Sequence, residues 1–230
     1  LFAKWNANTY TITYNSNGST GSAVRSPPNV SLDSYTTGGT SITLPDKGTL
    51  ARAGYTFAGW NTSADGSGTN RLEAATFTTV SDVIFYAKWN PITYTITYDG
   101  NTNTSGTTPT AGGYTTGQAS PYTVLANSFT KTSSVFGGWN TAANGTGTSY
   151  SPGATFTTLA DIVLYAIWIP QFTLHYAING GSVTSGSLPA DTLYNVNTSV
   201  AVFSSVARTG YTFAGWGNGS STIAAGGNFT

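Results

Sequence analysis

The sequence predicts a mainly β protein, a tandem array of repeats of about 80 residues with little or no helix. Spacing is the first reason. Trp60 and Trp89 lie 29 residues apart, as do Trp139 and Trp168, and the second pair follows the first by 79 residues. The surrounding words recur: GYTFAGWNTSADGSGT at 54–69, SVFGGWNTAANGTGT at 134–148 and GYTFAGWGNGS at 210–220. Alternation is the second reason. Tyr10, Ile12 and Tyr14 alternate with Thr11 and Thr13, and Tyr94, Ile96 and Tyr98 alternate with Thr95 and Thr97. Phe172, Leu174 and Tyr176 repeat the pattern, which marks a half-buried strand with its aromatic side inward. The register divides the chain into residues 1–8, the end of a preceding repeat with its linker, then repeats over 9–89, 90–168 and 169–230. The last of these lacks its closing strand.

Within each repeat, a Gly/Asn/Ser-rich loop follows the opening strand (NSNGSTGS, DGNTNTSGTTP, INGGSVTSGSLP). A Tyr-led turn word comes next, at Tyr35–Gly38, Tyr114–Gly117 and Tyr194–Asn197, and then a short β-branched run (SITLP, YTVLA, VAVF). In the Trp-bearing word, strict alternation puts Phe57 and Trp60 on opposite faces. A bulge at Ala58-Gly59 returns both to the core, and Gly138 and Gly215 mark the same site. Asp65-Gly66 and Asn144-Gly145 are strong hairpin signals. The closing strands, DVIFYAKW at 82–89 and DIVLYAIW at 161–168, are apolar on both faces, which predicts a central strand covered on two sides. Helical periodicity is weak, and residues 45–53 hold one helical turn at most. The joints are short, NAN at 6–8, NP at 90–91 and IP at 169–170. Pro91 and Pro170 stiffen them, which predicts a semi-rigid rod.

Composition narrows the function. Charged residues make up 7% of the chain, against about 25% in ordinary soluble domains. The net charge is +0, so no field draws in nucleic acid or anionic lipid. No Cys is present to staple a repeat that lies near the lower size limit for an independent core, so each repeat leans on its aromatic residues and its neighbours. The neutral, hydroxyl-rich surface suits an extracellular location, on a bacterial surface or secreted. There is no signal peptide, membrane-spanning stretch or sorting motif, and the sequence reads as a window from a longer chain.

Tyr-Thr-Ile-Thr-Tyr, Gly-Tyr-Thr-Phe-Ala-Gly-Trp-Asn, Gly-x-Gly-Thr and a closing Phe-Tyr-Ala-Lys-Trp together resemble the Listeria–Bacteroides repeat, the B-repeat of internalin-type surface proteins. The resemblance covers essentially the whole chain. It implies a β-grasp-like module, found in tandem on secreted and wall-attached bacterial proteins as a stalk, spacer or adhesive segment, and it carries no catalytic motif to transfer. The third repeat departs from the pattern, with 13 residues from Trp216 to Phe229 against 17 from Trp60 to Phe77.

Candidate chemistry is sparse. The sole His, His175, stands at a Thr position on the outer side of an opening strand and reads as an exposed histidine. Glu73 and the seven Asp share no paired-carboxylate motif. Asp65-Gly-Ser-Gly and Asp99-Gly-Asn are oxygen-rich, but turn chemistry explains them better than Ca²⁺, which needs six to eight oxygens. Asp82 and Asp161 recur before the closing strands and read as turn or cap residues. Trp60, Trp89, Trp139 and Trp168 read as core and not as a sugar-stacking platform, while Tyr35, Tyr114 and Tyr194 lie at loop edges and fit either role. Lys88 aligns with Ile167, so the parts of a Lys–Asn crosslink do not repeat. The sequence therefore assigns no catalytic, cofactor or metal residues, and no ligand-binding position.

The ends match each other in register. Leu1–Trp5 corresponds to Phe85–Trp89, and Thr230 to Thr78, just before the third closing strand would begin. Cropping of a longer chain explains this; head-to-tail pairing of copies through Leu1–Trp5 is the sharper expectation. The sequence thus points to a non-catalytic structural or stalk region, in contact with neighbouring repeats and other copies. The alternative is an adhesin-type binding module for glycan or surface protein. Nucleic acid and membrane insertion are not expected.

Overall fold

A computed structural model describes residues 1–20, 30–219 and 221–229. Thr230 lies outside them. The chain is mainly β, and no helix occurs among the described residues. The first repeat contributes β1 (Thr9–Asn15), β2 (Val30–Thr36), β3 (Ile42–Thr43), β4 (Tyr55–Asn61), β5 (Asn70–Arg71), β6 (Thr76–Phe77) and β7 (Val83–Pro91). The second contributes β8 (Thr93–Asp99), β9 (Ser105–Gly106), β10 (Gly112–Thr115), β11 (Tyr122–Thr123), β12 (Phe129–Thr130), β13 (Ser134–Asn140), β14 (Ser149–Tyr150) and β15 (Thr155–Phe156). β16 (Ile162–Leu174) closes the second repeat and opens the third without a break. The third adds β17 (Ser182–Val183), β18 (Thr192–Asn195), β19 (Val200–Ala201), β20 (Val206–Ala207), β21 (Trp216–Gly217), β22 (Thr222–Ile223) and β23 (Asn228–Phe229).

By internal contacts the chain forms two compact units, residues 1–95 with 113–122 and 157–161, and residues 96–112 with 123–156 and 162–230. In the first unit the sheet runs β2-β1-β7-β4-β5, with β1 and β7 parallel and the other neighbours antiparallel. Alternation decides which side of β1 is buried: Ile12 and Tyr14 are enclosed while Thr11 is exposed. They join Leu44, Leu50, Trp60, Phe85 and Ala87 in one core cluster. In the second unit β8 pairs β16 in parallel and β13 pairs β16 antiparallel, and Ile96, Trp139, Leu164 and Ala166 are fully buried.

The glycine bulge forms as the sequence predicts. Phe57 faces Trp89 and Trp60 faces Ala87, so Ala58 and Gly59 together stand opposite one residue, and the second repeat slips between Phe136 and Gly138. Gly59, Gly138 and Gly215 have φ of 101°, 124° and 130°. A Cβ at Gly59 or Gly215 would collide with the carbonyl oxygen of Arg71 or Ile223.

Other expectations need correction. The closing strands are central, but only one of their faces is covered: Phe85 is buried, whereas Ile84 keeps 46% exposure and Val163 keeps 40%. Asp65-Gly66 does turn the chain, yet the hairpin pairs Asn61 with Asn70 and so encloses an eight-residue loop. Residues 45–53 agree with the expectation of one turn at most, with a single hydrogen-bonded turn, Leu50 N–H to Lys47 O. The Tyr-led words are strand ends as well as turns, because Tyr35 faces Tyr10 and Tyr194 faces Phe172 across antiparallel ladders. The third opening strand stops at Leu174, the last residue that β18 pairs, and leaves Tyr176 outside it.

Candidate functional site

The polar residues singled out by the sequence are scattered. The His175 imidazole is 71% exposed and pairs through Nδ1 with Asp191 at 2.8 Å, a partner the sequence did not suggest. Asp65 Oδ1 accepts from Ser67 N–H at 3.0 Å and Ser67 O–H at 2.7 Å. These two bonds, the backbone one first, lower its pKa. Asp99 Oδ1 accepts from Asn101 N–H at 2.7 Å, and Glu73 Oε1 from Lys47 N–H at 2.8 Å. Lys88 Nζ donates to Asn70 Oδ1 at 2.9 Å, and the partner of Asn70 in the second repeat is Ser149, which keeps no such pair. Among the described residues, no group of three or more His, Cys, Asp or Glu side chains gathers.

The aromatic residues are organised far more tightly. Each first Trp sits edge-on between a Tyr and a Phe: Trp60 between Tyr14 and Phe57 at 5.0 and 5.5 Å, Trp139 between Tyr98 and Phe136 at 4.7 and 5.1 Å. Trp216 sits between Tyr176 and Phe213 at 4.8 and 5.5 Å. The indole N–H of each then caps a backbone carbonyl, that of Pro45 at 2.8 Å, Leu125 at 3.0 Å and Phe203. Trp60 and Trp139 are wholly enclosed, and with both edge and face engaged they offer no stacking platform. Tyr35 and Tyr114, which the sequence left open, are buried, and Tyr194 is half-buried. Leu1, Phe2 and Trp5 are exposed.

Two asparagines are buried, a role that composition and alternation do not reveal, Asn61 reading in the sequence only as an Asn-x-Ser/Thr site. Asn61 Nδ2 donates to Gly66 O, Gly68 O and Asn70 Oδ1, while its Oδ1 accepts from Ser63 N–H. Asn140 does the same with Gly145 O, Gly147 O and Ser149 Oγ, and accepts from Ala142 and Gly147 N–H. One side chain thus supplies the internal ladder that an eight-residue loop lacks. The third repeat has Gly217 at this position and a loop of only four residues between Gly217 and Thr222, so the long loop and its asparagine are lost together.

A seam of side-chain bonds runs between the opening and closing strands. Asp82 Oδ1 accepts from Thr11 N–H at 2.7 Å, and Asp161 Oδ1 from Thr95 N–H at 2.7 Å, so these residues extend the parallel ladder as well as ending a turn. Past the other end, Asn17 Nδ2 donates to Ala87 O at 3.0 Å and Asn101 Nδ2 to Ala166 O at 2.9 Å. The second Trp of each pair is half-buried and crosses the same seam, Trp89 Nε1 to Ser16 O at 3.2 Å and Trp168 Nε1 to Gly100 O at 2.9 Å.

The joints are hydrogen-bonded on both sides. Ile92 alone separates β7 from β8; its N–H donates to Gly54 O at 2.8 Å and its carbonyl accepts from Thr116 N–H at 3.0 Å. At the second joint Gln171 N–H donates to Ser133 O at 2.8 Å, and Pro170 O accepts from Val196 N–H at 2.9 Å.

A family model described as the Listeria-Bacteroides repeat domain matches residues 10–88, 94–167 and 172–226. Two proteins of Evansella cellulosilytica are similar. One, named "Putative Gly-rich membrane protein", is 34% identical over 158 residues, 64% of this chain and 18% of its own length. The other, named "Putative membrane protein", is 27% identical over 235 residues, 91% of this chain and 33% of its own length. The chain therefore spans a third or less of these relatives. No solved structure matches it.

Proposed function

The chain belongs to the Listeria-Bacteroides repeat domain family, and we propose that it is a non-catalytic structural region of a bacterial cell-envelope or extracellular protein, spacing other domains. The joints carry this reading. Ile92 at the first joint, and Pro170 and Gln171 at the second, are each bonded to the repeat before and the repeat after, which is the bonding expected of a spacer and not of a floppy tether. The printed names of the two relatives support an envelope location. End-to-end association of copies through Leu1–Trp5 belongs to the same reading and would show as concentration-dependent sedimentation. The alternative, a binding module for glycan or surface protein, is less favoured because Trp60 and Trp139 are enclosed, which leaves the half-buried Trp89 and Trp168 as the recurrent indoles it could use. Glycan and matrix-protein arrays probed with the intact chain test the choice. No retained ligand is expected. A ligand whose capture is lost when the half-buried Tyr194 is replaced would put the binding module in place of the spacer.

A further inference from the structure

We propose that each of the first two repeats is built to bear tension along the chain, its opening and closing strands forming a clamp that is loaded in shear. The proposal rests on the spacer reading and concerns how such a spacer withstands load. β1 and β7 are parallel neighbours, in register from Ile12 with Val83 to Asn15 with Tyr86. β1 begins at Thr9, before the first pair, and β7 continues to Pro91, past the last. Tension arriving through the preceding chain enters at one end of this pair and leaves at the other, about 11 residues or ~36 Å further along. Interstrand hydrogen bonds point across that axis, so sliding one strand past the other strains all of them together. Pulled apart from one end, the same strands would lose them one at a time. The second repeat has the same arrangement, with Ile96 to Asp99 of β8 in parallel register with Ile162 to Tyr165 of β16.

The seam bonds fit this role. Thr11 and Asp82 immediately precede the first backbone pair, and their 2.7 Å bond reinforces the end where load enters. Asn17 and the Trp89 indole reinforce the end where load leaves, reaching Ala87 O and Ser16 O. Asp161, Asn101 and Trp168 repeat all three bonds. A cap or a turn residue would need no counterpart at the opposite end of the same strand pair. Here both ends are tied, in both repeats, by the same residue types.

The chain lacks Cys, so paired substitutions can set the pulling axis on the intact 230-residue protein in single-molecule force measurements. Thr9→Cys with Asn90→Cys loads β1 and β7 in shear. Thr9→Cys with Ser81→Cys puts both handles at one end of the pair. Each hydrogen bond of ordinary net strength is worth about fivefold in rate, so three broken together predict unfolding about 100-fold slower on the shear axis at equal force. Equal rates on the two axes overturn the clamp. On the shear axis, Asp82→Ala speeds unfolding about tenfold, because it removes a charge-assisted bond from the seam. Glu73→Ala, which removes a comparable carboxylate bond to the Lys47 N–H outside the seam, leaves that rate within about twofold. If the two variants accelerate shear unfolding alike, the seam has no special part in bearing load. A failed clamp leaves the spacer reading intact, since spacing between repeats does not depend on rupture. A ligand found on the arrays would remove the spacer reading and leave these rates unchanged.

Discussion

Replacing Asn140 with Ala tests whether one side chain holds the loop over 141–148. Five contacts end on Asn140: three acceptors share the two hydrogens of Nδ2, and Oδ1 accepts from two N–H groups. At about 1 kcal/mol net for each of these four hydrogens they set a ceiling near ~4 kcal/mol. Gly145 and Gly147 are exposed, so water replaces some partners once the side chain is gone, and the expected loss is about 2–3 kcal/mol. Asn140→Asp is the sharper variant. It keeps the shape but turns an acceptor-only carboxylate toward two carbonyl oxygens in a site with 0% exposure. Burial and those carbonyls push its folded pKa above the unfolded value. The folded state then binds more protons than the unfolded one, so stability falls as pH rises through this window and recovers toward acid. At pH 7 the Asp variant is thus worse than the Ala variant, and in acid the order reverses as a carboxyl O–H donates again. Because the loop can open locally, the assay is amide hydrogen exchange at Ala142 and Gly147. Protection falls about 30- to 150-fold in Asn140→Ala for the 2–3 kcal/mol above. Unchanged protection at both amides would refute the claim that Asn140 organises the loop.

Gly59→Ala places a Cβ against the Arg71 carbonyl at a φ of 101°, and thermal unfolding of the intact chain should show a loss of more than about 2 kcal/mol. Asp65→Asn should be silent at neutral pH, because Asn144 already makes the same two bonds, to Thr146 N–H and O–H. The wild-type Asp65 pKa is lowered in the fold, so its contribution is present above the ordinary carboxylate range and fades as pH falls through the folded value. Exchange of the Ser67 amide against pH reports this: the wild type loses protection in acid and Asp65→Asn does not. Equal acid sensitivity in both would show that Asp65 is not the titrating group.

How much was legible in the sequence depended on whether a side chain is apolar. Tyr10, Ile12 and Tyr14 announce β1 by period two, and the Ala58-Gly59 bulge follows from Phe57 and Trp60 both needing the core. The partner strands β2, β10 and β18 carry little apolar signal, because polar words such as GGYT and TLYN become strands only when an opening strand pairs with them. Apolarity also misled, since Ile84 and Val163 suggested a second covered face that the sheet leaves half open. Asn17 and Asn61 read only as Asn-x-Ser/Thr sites and Asp82 as a local turn or cap, because a polar residue has no period to detect. The usable signal was recurrence: Asn140 follows Asn61 by 79 residues and Asp161 follows Asp82 by 79. A polar identity kept at the repeat distance marks a bond that each repeat needs.

The spacer reading makes its most direct commitment at the joints, where Ile92, Pro170 and Gln171 are bonded on both sides. Spin labels attached through Val80→Cys in the first repeat and Leu193→Cys in the third, both exposed positions, measure the separation across both joints by pulsed electron paramagnetic resonance. The account predicts a single narrow distance distribution. A broad distribution, of the kind a flexible tether gives, would contradict it.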